Sequence, residues 1–268
     1  MSVKAGLIHR LLCVLTILMV SAIAVADDSS LNRDGVGDNV SSLLTPDNAN
    51  LLMDDYSLPL SDSYSLQIDR TLGNFEDDSV TGLGGHVFWS DPQLGLLDAS
   101  ASTLQWGTAN VNRFGLDGKW YNSITTLSGG VEYQTGDVDN QFNLFADIGL
   151  YPFEILSIQG GAAQINGEPM GHLGFEVQPA ADSMPGLTLM GSAAMGKNDH
   201  EYIFLGLRYA FGSNGRLIDR HRNNPSLLFG SRRFGTDLYS IKTEREKSNE
   251  ALSSTELGFD GVTQSKTP

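Results

Sequence analysis

The stretch QFNLFADIGLYP, residues 141 to 152, has two chemically opposed faces once it is drawn as an extended chain. Successive side chains of a strand point to opposite sides. Phe142, Leu144, Ala146, Ile148 and Leu150 therefore share one face, and Gln141, Asn143, Phe145, Asp147, Gly149 and Tyr151 share the other. The first row needs a dry neighbour. A carboxylate such as Asp147 needs water or a partner.

The same period recurs along the middle of the chain. Phe114, Leu116, Gly118 and Trp120 alternate with Arg113, Gly115, Asp117 and Lys119, and Leu127, Gly129, Val131 and Tyr133 alternate with Ser128, Gly130, Glu132 and Gln134. Leu173, Phe175 and Val177 oppose His172, Gly174, Glu176 and Gln178, while Ile203, Leu205, Leu207, Tyr209 and Phe211 oppose Tyr202, Phe204, Gly206, Arg208 and Ala210. Segments of this kind, separated by turn-forming clusters, predict ten strands near residues 64–73, 81–90, 96–106, 110–121, 125–135, 141–151, 154–164, 170–178, 186–196 and 201–211. Only LLDASASTLQW, residues 96 to 106, alternates poorly.

Period alone does not separate a membrane barrel from a soluble β-sandwich. The aromatics do better. With both termini in the periplasm, Trp89, Trp120, Tyr121, Tyr151, Tyr209 and Phe211 gather at one edge, where an interfacial girdle belongs. The expected fold is all-β, an antiparallel up-and-down transmembrane barrel of about ten strands, within a range of eight to twelve.

Upstream, Lys4 and Arg10 precede an apolar run from Leu11 to Val20 that ends near Ala24-Val25-Ala26. This pattern predicts a secretory signal peptide over residues 1–26, since the run is shorter than the roughly 20 residues of a spanning helix. Its removal takes the only cysteine, Cys13, and leaves 15 basic against 32 acidic residues, 15 − 32 = −17. That charge disfavours nucleic acid as a partner. Residues 27–60 are rich in Asp, Ser, Asn and Gly and read as a flexible lead-in, 61–212 as the barrel, and 213–268 as a partly disordered tail.

GGHVFWSDPQLGLL, residues 84 to 97, resembles a block in uncharacterised outer-membrane β-barrel-like proteins of Gram-negative bacteria, in which a Gly-Gly-His strand runs into an Asp-Pro turn and a Gly-Leu-Leu restart. The likeness extends over about residues 60 to 222 and implies fold and location without an activity. GLRYAF, residues 206 to 211, looks like the closing-strand signal read by the barrel-assembly machinery, although 57 residues follow Phe211. Lipid and lipopolysaccharide of the outer membrane are the other expected partners.

By strand parity Asp69, Arg113, Asp117, Lys119, Glu132, Asp147, Glu176 and Arg208 point into the lumen, where a mutually paired polar network is expected. The expected role is structural or in surface interaction. A narrow solute or ion pore, or a soluble periplasmic binding module, are the alternatives. No enzyme is expected: Asp199-His200 has no second catalytic group at a defined spacing, and His86 and His172 read as hydrogen-bonded lumen side chains. No cofactor or metal is expected, because Asp77-Asp78 and Asp137-Val138-Asp139 lack the spacing of a calcium loop. RLIDRHR, residues 216 to 222, reads as a solvated basic face or a contact with anionic groups near the periplasmic leaflet.

Overall fold

The computed structural model describes residues 37–44, 50–75, 78–196, 201–223 and 242. Twelve strands follow one another: β1 (Gly37–Leu44), β2 (Asn50–Pro59), β3 (Tyr64–Phe75), β4 (Asp78–Asp91), β5 (Gly95–Trp106), β6 (Ala109–Asn122), β7 (Thr125–Gly136), β8 (Gln141–Phe153), β9 (Leu156–Ile165), β10 (Glu168–Val177), β11 (Leu187–Gly196) and β12 (Glu201–Phe211). Each pairs antiparallel with the next, and β12 pairs back onto β1, from Asp38 opposite Phe211 to Leu44 opposite Leu205, so the barrel closes. Closure removes the unpaired strand edges that neither lipid nor a soluble monomer tolerates.

The ten strands expected from the sequence are β3 to β12. Two more precede them, which corrects the reading of residues 27–60: the part from Gly37 to Pro59 is sheet, and residues 27–36 lie outside the described residues. The polar composition that suggested a flexible segment has a local cause in β2. Asp54 points outward, where the Arg70 guanidinium of β3 donates to both its carboxylate oxygens, each at 2.9 Å. Leu51 and Met53 meanwhile turn inward and are buried. Pairing on both flanks supplies the backbone hydrogen bonds that composition does not predict.

Strands β2 to β12 span 10 to 14 residues, enough for a tilted strand to cross a hydrocarbon layer, which takes about 9–11. Their outward rows are apolar and open. Leu83, Leu97, Phe114, Leu116, Phe142, Leu144, Ile148, Leu173, Ile203 and Leu205 all lie exposed. A soluble protein rarely leaves so continuous an apolar belt uncovered. Aromatic pairs mark both rims of the belt: Tyr209 and Phe211 meet edge to face at 4.9 Å near one end, and Tyr133 and Phe142 approach to 5.1 Å near the other. The second pair was not singled out from the sequence.

Because the strands alternate in direction, the connections fall at two ends. The terminal end, where the chain enters β1 and leaves β12, carries the links 60–63, 92–94, 123–124, 154–155 and 178–186. At the opposite end the described links 107–108, 137–140 and 166–167 are short. In the last of these Asn166 (φ 54°) and Gly167 (φ 77°) supply the two left-handed residues of a tight hairpin. A single described helix, α1 (Leu217–Asn223), follows β12. The tail therefore contains ordered structure directly after the barrel.

Candidate functional site

Among the described residues the lumen is where the fold brings chemistry-bearing side chains together, and three zones fill it. Toward the opposite end it is apolar. Leu51, Met53, Phe75, Val80, Leu104, Trp106, Val111, Val138, Met190 and Phe204 form one buried cluster, with Leu51 and Val80 fully excluded from solvent. Trp106 meets Phe75 edge to face at 5.0 Å, and its indole N–H donates to the Phe75 carbonyl at 3.0 Å. Val138 enters this zone from the 137–140 link, which is pinned where Asp137 accepts the Asn110 backbone N–H at 2.9 Å. At the same end the side-chain amides of Gln134, Gln141 and Asn143 join Asn166 in a chain of hydrogen bonds, each at 2.7 Å, that links β7, β8 and the 166–167 hairpin.

This apolar zone explains why β5 alternates poorly. Its outward row is Leu97, Ala99, Ala101, Thr103 and Gln105, while Leu104 and Trp106 face inward into the cluster and Asp98 faces inward lower down. In its upper half the apolar Leu104 and Trp106 face inward while Thr103 and Gln105 face outward, the reverse of outward Leu97 and inward Asp98, so no single binary pattern runs through the strand.

The middle zone is ionic. His86 on β4 sits between two carboxylates, with Nε2 at 2.7 Å from Asp69 on β3 and Nδ1 at 2.9 Å from Asp98 on β5, and Gln67 also hydrogen-bonds Asp69. Arg113 donates to Glu132 at 3.2 Å, both nearly fully buried. His172 on β10 meets Asp147 on β8 at 2.8 Å. These two residues lie in one register row with Gly161 between them. A Cβ on Gly161 would stand 2.1 Å from the Asp147 carboxylate and 2.4 Å from the Ala146 carbonyl, so the glycine is the floor over which the pair crosses an intervening strand. Gly130 does the same beneath Asp117 and the Phe145 ring.

All eight residues expected in the lumen, Asp69, Arg113, Asp117, Lys119, Glu132, Asp147, Glu176 and Arg208, lie on inward rows. His86 and His172, read from the sequence as hydrogen-bonded lumen side chains, join them, and so do Asp98 and His221, which the sequence does not place in the lumen. Asp98 was hidden in the weakly alternating β5.

At the terminal end α1 turns back into the mouth. His221, fully buried, faces the Tyr151 hydroxyl through Nδ1 at 2.9 Å and the Glu176 carboxylate through Nε2 at 3.2 Å. Arg208 donates to both oxygens of the same Glu176 carboxylate, at 3.4 and 3.5 Å. Arg220 donates to the Pro185 carbonyl at 2.9 Å and to the Thr188 hydroxyl at 3.1 Å. Arg222 donates to the carbonyls of Asn122 and Ser123 at 2.6 and 3.0 Å and lies over the Tyr121 ring. Burial pushes His221 below the ordinary histidine value and brings Arg220 down to about 10, with the Glu176 charge opposing both shifts.

Two expectations are corrected here. Tyr121 and Tyr151 are not interfacial aromatics: each is only 4 % exposed and points into the lumen beneath α1. Strand parity carried that signal, since Tyr121 is two residues beyond Lys119 and Tyr151 two beyond Gly149. Trp89, Trp120, Tyr209 and Phe211 do lie on the outward rows near the terminal end. The basic segment 216–222 is more than a solvated face: Leu217, Arg220 and His221 are buried, while Arg216 is open to solvent and pairs with Asp182 at 3.0 Å.

Among the described residues no three His, Cys, Asp or Glu side chains converge as metal ligands. Asp77 and the Asp199-His200 pair lie outside the described residues. Beside Glu176, a cavity lined by Gln159, Met190, Ser192 and Phe204 has room for about one water molecule.

No family model and no curated protein matches the sequence. Solved structures do match the fold. The KdgM porin in complex with disordered oligogalacturonate is 8 % identical with a TM-score of 0.51, over 65 % of this chain and 98 % of that one. A structure from work on the in-meso crystallization of membrane proteins is 14 % identical with a TM-score of 0.51, over 73 % and 93 %. At such identities the likeness is one of fold: the chain has the porin-like, antiparallel up-and-down β-barrel architecture.

Proposed function

We propose that this chain is a small outer-membrane β-barrel of a Gram-negative bacterium, closed through its lumen and acting structurally or through its surface rather than as an enzyme. The observation that carries the reading is the pairing of an exposed apolar belt outside with side chains packed from wall to wall inside. Lipid wets the belt, and lipopolysaccharide borders it on the outer leaflet. The terminal end faces the periplasm, and 1–26 is the export signal. β12 presents Tyr209 and Phe211 outward beside β1, which suits recognition of the closing strand by the assembly machinery.

A narrow pore is the second reading, favoured by the charged middle zone and by the architecture shared with KdgM, a protein named as a porin. Solute passage would need both the apolar cluster around Trp106 and helix α1 to leave the path. The first reading therefore predicts that full-length protein in planar bilayers at neutral pH gives no sustained open level. A steady ohmic conductance from every inserted molecule would replace it with the pore.

A further inference from the structure

Helix α1 is held in the barrel by contacts of a particular kind. Leu217 is its one fully buried apolar anchor; the remainder are hydrogen bonds from Arg220, His221 and Arg222 to the wall, with Ile218 N–H donating to the Glu154 carbonyl at 3.2 Å and Gln178 to the Gly215 carbonyl at 3.1 Å. Water can replace each of these when the helix lifts away. A seven-residue helix is too short to persist by itself, so seating and folding of α1 are one event. Gly212, with φ of 69°, makes the turn between β12 and this segment.

We propose that α1 is a reversible stopper, seated while His221 is neutral and released when acid charges it, so that the terminal half of the lumen becomes a polar vestibule open on that side. The charges around His221 set the direction. Among the described residues Glu176 on β10 is the carboxylate in contact with it, and that carboxylate is already shared with Arg208 on β12 and feels the charge of Arg220 on α1. Tyr151 on β8 contributes a neutral hydroxyl, and Tyr121 on β6 lies beneath Arg222. A proton on His221 adds a further cation to this group in a site without bulk water.

Burial holds the seated imidazole below its free value of about 6.5. A base lowered in this way favours the seated state above the free value, and that contribution is lost as pH falls through the seated one. Acid therefore unseats α1. The inference needs only a lumen with α1 in its mouth, and it holds whether or not the barrel has a surface role.

The test is cysteine accessibility in the full-length chain with Cys13→Ser. Ser157→Cys places a thiol on a buried inward position at the terminal end, and Ser183→Cys on the exposed 178–186 link normalises the pH dependence of the reagent. Between about pH 7.5 and about pH 5, the range in which histidine titrates, the normalised rate with a small charged thiol reagent is expected to rise about tenfold or more. His221→Gln should keep the thiol protected at both pH values, and His221→Lys should leave it open at both. Equal normalised rates across the range, or an acid response retained in His221→Gln, would overturn the proposal. Heat-modifiable gel migration, followed in each variant, separates loss of the barrel from release of the helix.

Discussion

Deletion of residues 37–59 is expected to abolish the compact, heat-modifiable form of this protein. The segment reads as a polar lead-in, yet it supplies β1 and β2, and β1 is the strand that closes the sheet against β12. Without it the free edges of β3 and β12 carry unpaired N–H and C=O groups, each costing several kcal/mol in hydrocarbon. The deletion also removes Leu51 and Met53 from the apolar cluster. A deleted chain that refolds into detergent with unchanged heat modifiability and urea midpoint would show that the barrel closes without them.

Replacing Glu132 by alanine is expected to cost about 3–5 kcal/mol, because it breaks the buried pair that Glu132 makes with Arg113 by removing one partner. Both partners are nearly inaccessible, at 1 % and 4 % of their free surface. The double change Arg113→Met with Glu132→Met should recover most of the loss, since replacing a buried pair by apolar groups of similar volume is often close to neutral. Urea-induced unfolding in micelles, read by heat-modifiable migration and by tryptophan fluorescence, measures both. If Glu132→Ala is as stable as the parent, or if the double variant is worse than the single one, the middle zone does not hold the barrel in the way described.

Much of this fold is legible in the sequence because the barrel has a strict period of two. Wherever lipid meets one face and charge the other, as in β6, β7, β8 and β12, alternation marks the strand, its inward row and the eight charged lumen residues together. Legibility fails where that contrast reverses or breaks. In upper β5 Leu104 and Trp106 face inward into the apolar cluster while Thr103 and Gln105 face outward, reversing the pattern of Leu97 and Asp98, and β2 carries an outward Asp54 whose charge is met by Arg70 on the next strand. Neither condition can be read from one segment, because each depends on which strand lies beside it.

The closure at the terminal end was missed for a related reason. RLIDRHR has the composition of a solvated helix, and nothing within it reports that Tyr151 and Glu176 stand ready to receive His221. Tyr121 and Tyr151 carried a usable signal. Their distance along the strand placed them at an interface, but their parity placed them inside, and parity is the stricter of the two because one residue's shift changes the face.

The most direct test of a lipid-wetted wall around a filled lumen is a cysteine scan of Ala99, Ser100, Ala101 and Ser102 on β5, one position at a time, in proteoliposomes. The small parent side chains limit perturbation, and the four residues alternate outward and inward. At neutral pH, Ala99→Cys and Ala101→Cys should react with a membrane-soluble maleimide and not with a charged one, while Ser100→Cys and Ser102→Cys should react with neither. Reaction of the inward pair with the charged reagent would mean an open aqueous lumen, and reaction of the outward pair with it would mean that no membrane surrounds this barrel.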